Sequence, residues 1–169
     1  MSEVFLGLGS NLGDRAGLLE RAVEALACLG SLVRSRWYET PAVGLPGADA
    51  FLNGAVRLET ALAPDELLRQ TREIERGLGR DPLRRAGSRT MDIDILLYDR
   101  QVISRPGLEI PHPRLHQRAF VLVPLAELAP NFVHPVLGRT VTEMLADIGG
   151  AGVTEGLGDS PRAGTVPVR

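Results

Sequence analysis

Residues 51–60, Phe-Leu-Asn-Gly-Ala-Val-Arg-Leu-Glu-Thr, alternate strictly. Leu52, Gly54, Val56 and Leu58 fall on one side, and Phe51, Asn53, Ala55, Arg57 and Glu59 on the other. Period two over ten residues means a strand with unequal faces, and such a strand needs a sheet around it. Residues 3–9 and Leu32 to Tyr38 read as two earlier strands. Between them Leu19, Ala22, Val23, Leu26 and Leu29 recur at helical spacing, with Asp14 near the start and Gly30 as the stop. A second helix opens at Pro64 with Leu67, Thr71, Ile74 and Leu78 in one stripe. Thr90 to Tyr98 is a fourth long strand, predicted to place Met91, Ile93, Ile95 and Leu97 on one face and Asp92, Asp94, Leu96 and Tyr98 on the other. The resulting order, β-α-β-β-α-β, predicts a ferredoxin-like α+β fold: an antiparallel sheet with two helices on one face and C-terminal additions. That unit leaves its other face uncovered, and Phe51, Asn53, Asp92 and Asp94 are expected to line it. An apolar segment at 119–128 and a short helix at 141–148 follow. One domain is expected over 1–148, with a loose Gly/Pro-rich tail over 149–169. Glu39 to Ala50 and Arg80 to Arg89 are long loops, of the kind that often bind something.

Composition narrows the chemistry. All 19 basic residues are arginine, for the chain contains no lysine. A P-loop lysine, a lysine Schiff base and a lysine general base are thereby excluded. Any bound anion meets arginine, backbone amides or metal, and arginine clamps phosphate oxygens in pairs without titrating. A net charge of −2 argues against a protein held to nucleic acid by nonspecific phosphate contacts. The single cysteine, Cys28, falls in an apolar helical pattern and is expected in the core. The chain runs into Val4-Phe5-Leu6 without a basic leader and has no apolar run near the roughly 20 residues of a membrane span. A soluble, cytoplasmic protein is expected, and a monomer.

The sharpest local signal is Asp92-Ile93-Asp94. On a strand these carboxylates point the same way about 6 to 7 Å apart, which suits hard cations such as magnesium beside a phosphate. Seven arginines, at 69, 72, 76, 80, 84, 85 and 89, lie in the 21 residues 69–89, just before the aspartates. Arg69, Arg72 and Arg76 share a helix with acids and are expected on a solvated, ion-paired face. Arg80, Arg84, Arg85 and Arg89 have fewer local acids and suit a polyphosphate. The glycines of Gly7-Leu8-Gly9-Ser10-Asn11-Leu12-Gly13 miss the nucleotide-fingerprint spacing and read as a tight turn from strand to helix. His112, fixed between Pro111 and Pro113, can donate to a phosphoryl oxygen. Phe51 and Phe120 can sandwich a flat heterocycle whose edge Asn53 reads, although spacing alone assigns Phe120 to core packing.

Taken in order, Gly9-Ser10-Asn11-Leu12-Gly13-Asp14, Tyr38-Glu39-Thr40-Pro41, Phe51-Leu52-Asn53, Arg89-Thr90-Met91-Asp92-Ile93-Asp94-Ile95, Pro111-His112-Pro113-Arg114 and Arg118-Ala119-Phe120 closely resemble the 6-hydroxymethyl-7,8-dihydropterin pyrophosphokinases of folate biosynthesis. The resemblance covers the chain to about Ile148. It implies transfer of the ATP pyrophosphoryl group to the pterin hydroxymethyl oxygen, with AMP released. It further implies two Mg2+ ions on Asp92 and Asp94, with Arg85 and Arg89 also catalytic. The pterin site it implies comprises Thr40, Pro41, Val43, Phe51, Asn53 and Phe120. ATP would be held by Glu75, Arg80, Arg89, Ile95, His112 and Arg118. Where the family commonly has Arg-Trp-Gly-Pro-Arg, this chain has Arg85-Ala86-Gly87-Ser88-Arg89, without the large aromatic. Two other readings fit the fold: another magnesium-dependent nucleotidyl or phosphoryl transferase, and a noncatalytic ligand-binding module. The first would lack the aromatic pair with Asn53, and the second has no need of adjacent carboxylates beside an arginine loop.

Overall fold

A computed structural model of the chain describes residues 1–11, 13–41, 50–79, 91–156 and 165–166. In chain order the elements are β1 (Ser2–Ser10), α1 (Arg15–Ala27), β2 (Ser31–Arg34), β3 (Tyr38–Thr40), β4 (Phe51–Thr60), α2 (Pro64–Gly77) and β5 (Asp92–Tyr98). A small hairpin of β6 (Ile103–Arg105) and β7 (Leu108–Ile110) follows, then a 3-10 turn at Leu115–Gln117, α3 (Ala119–Leu128) and α4 (Val141–Ile148). Two short strands close it, β8 (Thr154–Glu155) and β9 (Thr165–Val166). The main sheet runs β5-β1-β4-β2-β9, with β3 also on β4 and β8 on β3, and all its pairings are antiparallel. Among the described residues no helix is long and apolar enough to cross a membrane.

The sheet's first face carries Val4, Leu6, Leu8, Val56, Leu58, Ile93 and Ile95 against Leu19, Ala22, Val23 and Leu26 of α1 and Leu67 of α2. Each fully buried leucine stabilises the layer by about 1.5–3 kcal/mol. Asp14 caps α1 by accepting from the Gly17 amide at 3.0 Å. Cys28 follows the last turn of α1 and is exposed, contrary to the core position expected from its neighbours' pattern. It lies one residue past the helix, where the periodicity no longer determines which way a side chain points.

The second face is not left bare. The apolar segment after His112 forms α3, which with α4 packs Leu122, Leu125, Val141 and Met144 onto Phe5, Leu96 and Leu97. Leu97 and Tyr98 lie on the opposite faces from those expected. Phe5 pairs with Leu97 while Leu6 pairs with Ile95, so β5 carries one extra residue, Leu96, opposite β1. Such a bulge resets the alternation, and Leu96 and Leu97 both join the second core while Tyr98 joins the first.

The single strand expected at Leu32 to Tyr38 is two, β2 and β3, laid successively along one edge of β4. Ser35 causes the break. Its amide donates to Ala55 O at 2.8 Å, but the Ala55 amide donates back to the Ser35 hydroxyl, also at 2.8 Å, in place of a carbonyl. The freed backbone turns Trp37 inward, where its ring covers Gly54; a Cβ on Gly54 would lie 2.3 Å from that ring.

Glu127 of α3 ties the second layer to this break, accepting from the Arg36 amide at 2.9 Å and the Tyr38 hydroxyl at 3.1 Å. Burial first, then the Glu127 charge, push the Tyr38 hydroxyl up from 10.0 to about 12. A group raised in the folded state contributes stability that is complete below its unfolded value and lost as the pH rises through its folded value. The expected result is a decline in thermal stability across about pH 10 to 12 that Tyr38→Phe removes in part. Equal slopes in the two proteins would show that the hydroxyl keeps its ordinary titration.

Candidate active site

β1 is the middle of the site. On the second face it presents Phe5, Gly7 and Gly9, and the register sets Gly7 between Ala55 and Asp94, and Gly9 between Asn53 and Asp92. Two glycines thus leave a bare backbone floor with functional side chains standing at its edges. Gly7 and Gly9 lie within β1, in keeping with the strand expected over 3–9, and the passage to α1 turns at Gly13, at φ 63°. Gly9 also admits Asn53, because a Cβ there would lie 2.8 Å from Asn53 Oδ1.

Over that floor lies a cavity of about 560 Å3 bounded by Thr40, Pro41, Phe51 and Asn53 on one side and Arg118 and Phe120 on another. Asn53 is buried, and its Nδ2 donates to Thr40 Oγ1 at 2.9 Å, which fixes the orientation of the amide. Phe120 stands in the first turn of α3, 36% exposed, and not in the core that spacing suggested. The helix pattern places it on no buried stripe; its exposure is toward the cavity. The Arg118 guanidinium lies 5.5 Å from its ring centre, within cation-π range. Arg15, which the sequence reading passed over, donates to Ala50 O at 2.6 Å and pairs with Glu39 at 2.9 Å. It ties Glu39 of β3 to Ala50, the residue before β4.

A second cavity of about 810 Å3 opens against α2 and the β6–β7 hairpin. Glu75, Ile95 and His112 border it, whereas Arg118 borders the first. Glu75 is buried and accepts from the Ile93 amide at 3.1 Å, so its carboxylate holds the backbone between the two aspartates. His112 Nδ1 accepts from the Arg114 amide at 3.1 Å, which leaves Nε2–H as the donor. Burial holds its pKa below the ordinary value and outweighs the opposing pull of Asp94, with Arg118 and Arg114 pushing the same way as burial. The ring is therefore a neutral hydrogen-bond donor at neutral pH.

Arg69 and Arg76 form the ion pairs expected of a solvated face, with Glu66 at 2.6 Å and Glu73 at 2.7 Å. Yet Arg72 and Arg76 also border the second cavity, as does Arg105 of β6. The spacing Leu68, Arg72, Glu75, Arg76 puts these on one helix face, a signal that the ion-pair reading hid. Val43, Arg80, Arg84, Arg85 and Arg89 lie outside the described residues.

Among the described residues, Asp94 alone borders both cavities. Asp92 stands two residues away on the same face, bordering the first. No three His, Cys, Asp or Glu side chains converge as a metal cage among the described residues. Two hard carboxylates at the mouth of a cavity nevertheless suit magnesium, which keeps several waters and takes one or two carboxylates with substrate phosphates.

The family model of 7,8-dihydro-6-hydroxymethylpterin-pyrophosphokinase (HPPK) matches residues 5–130. The chain is 46% identical over 156 residues to the 2-amino-4-hydroxy-6-hydroxymethyldihydropteridine pyrophosphokinase of Methylorubrum extorquens, covering 90% of this chain and 98% of that one. With the enzyme of the same name from Aquifex aeolicus it shares 40% identity over 144 residues, 85% of this chain and 90% of the other. Its fold is similar to the Plasmodium falciparum HPPK-DHPS structure with SDX-DHP, at a TM-score of 0.71 and 16% identity. That match covers 98% of this chain, which spans about half of the longer one, 49% of its length.

Proposed function

Because the chain belongs to the 7,8-dihydro-6-hydroxymethylpterin-pyrophosphokinase family, we infer that it transfers the pyrophosphoryl group of ATP to the hydroxymethyl oxygen of 6-hydroxymethyl-7,8-dihydropterin and releases AMP, a step of folate biosynthesis. The observation that carries the reading at the level of the site is Asp94, standing where the two cavities meet. A transfer between two substrates needs one such point, reached from both sides.

In this reading the first cavity takes the pterin. Phe51 and Phe120 face its two sides, and Asn53, held by Thr40, offers its edge a donor and an acceptor, with Pro41 and Val43 completing the wall. The second cavity takes ATP. His112 donates from Nε2 to a phosphoryl oxygen, Ile95 and Glu75 form the wall, and Arg118, at the first cavity, reaches the phosphates from the pterin side. Arg80, Arg85 and Arg89 would neutralise phosphate charge with forked donors. Asp92 and Asp94 would hold magnesium, two ions in this reading. Bound there, magnesium offsets phosphate charge and lowers the pKa of the attacking hydroxyl. The bond formed joins the hydroxymethyl oxygen to the β-phosphorus, and the bond broken joins that phosphorus to the oxygen kept by AMP.

The strand path β5-β1-β4-β2, with α1 and α2 on one face, supports a ferredoxin-like description of the core. The same reading takes a cytoplasmic monomer acting on small molecules, without nucleic acid or membrane as partner; the net charge of −2 supports it. Incubation with ATP, Mg2+ and the reduced hydroxymethylpterin is expected to yield AMP and the pterin diphosphate in equal amounts. ADP in place of AMP, or AMP formed without pterin, would overturn the assignment.

A further inference from the structure

Ala151, Gly152 and Val153 border the first cavity, although they lie beyond residue 130, where the family match ends. The chain reaches that position by two turns after α4. Gly149 and Gly152 take φ values of 75° and 82°, which side-chain-bearing residues rarely adopt. Thr154–Glu155 then pair with Glu39 and Tyr38 of β3, and the Gly156 amide donates to Trp37 O at 2.8 Å. Gly156 has no room for a side chain, since its Cβ would meet Leu52 Cδ1 at 2.8 Å and Trp37 O at 3.3 Å. Glu155 also faces Arg36 at 3.6 Å, but both are well exposed, and such a pair contributes little. Backbone pairing therefore docks the segment. The strand it docks on is the one that presents Thr40 to Asn53.

We infer that Ala151–Val153 form a wall of the pterin cavity and that Val153 is a specificity-determining residue there, positioned by the pairing of β8 with β3. This rests on the reading of the first cavity as the pterin site. Val153 is half-buried, and it brings an apolar branched side chain to a cavity whose floor is bare glycine backbone.

The test is fluorescence titration with 6-hydroxymethylpterin of the full chain, in the presence of Mg2+ and a non-hydrolysable ATP analogue, for wild type, Val153→Ala and Gly156→Pro. The affinity for the ATP analogue and the melting temperature are measured on the same samples. Val153→Ala removes two methyl groups from the wall and is expected to weaken pterin binding about fivefold. Gly156→Pro removes the docking donor and is expected to weaken it about tenfold. The ATP analogue should bind all three proteins equally. Unchanged pterin affinity in Val153→Ala overturns the inference, and so does an equal loss for pterin and ATP analogue, which marks general destabilisation. Failure of the wild type itself to bind the pterin overturns instead the reading of the cavity on which the inference stands.

Discussion

Asp94→Ala is expected to lower turnover about a thousandfold, roughly 4 kcal/mol of transition-state stabilisation, while the melting temperature stays near that of the wild type. The two halves of this expectation come from different observations. Asp94 is exposed and stands over glycine backbone at Gly7, outside both hydrophobic cores. It borders both cavities, so a cation held there would be reached from either one. The loss should fall mainly on kcat, because charge shifts onto the leaving oxygen in the transition state, and fixed positive charge stabilises that shift more than the ground state. Asp94→Asn keeps the volume and one acceptor oxygen but not the charge, and should lose nearly as much. Wild-type turnover in either variant, in the AMP assay, would reduce the aspartate pair to a solvated sheet face.

The second large effect is expected from a single methyl group. Gly9→Ala puts a Cβ 2.8 Å from Asn53 Oδ1, closer than such atoms approach, with the Leu52 carbonyl at 4.0 Å behind it. Either Asn53 turns away and loses its 2.9 Å bond to Thr40, or β1 shifts between its two neighbours. An amide so turned no longer meets the ring edge, a hydrogen-bonding loss of about 1–3 kcal/mol in the complex, so pterin affinity should fall about 5- to 150-fold. Gly77→Ala is the control. No heavy atom lies within 4 Å of the added Cβ, and the site is the last residue of α2, so helix stability should be kept or gained. Pterin titrations of both variants check the contrast; equal affinities would mean that Asn53 does not read the ring edge.

Much of the layer structure was legible in the residues. The period-two run at 51–60 and the helical stripe beginning at Leu19 correspond to β4 and α1, because one face of each must leave water and the spacing records which. The Asp92-Ile93-Asp94 spacing likewise sufficed to put both carboxylates on one face. Periodicity failed where a local event changed the count or a distant partner changed the surroundings. The bulge at Leu96 exchanged the faces of Leu97 and Tyr98, and no residue in β5 announces it. The Ser35 hydroxyl broke a strand by taking a carbonyl's place opposite Ala55, a substitution that needs β4 alongside to be visible. Arg72 looked like one more member of an ion-paired helix face until the β6–β7 hairpin closed a cavity against it.

By itself, then, the sequence determined the order of the main elements, the buried faces of β4 and α1, and the absence of lysine that leaves arginine, histidine and carboxylates to meet phosphate. These are properties of local spacing and chemical type. Only the tertiary structure decided that Gly7 and Gly9 floor a cavity, that Phe120 faces the cavity and not the core, and that Asp94 stands where two cavities meet. Each depends on segments 40 or more residues apart being brought within a few ångströms of one another, and spacing along the chain carries no record of that.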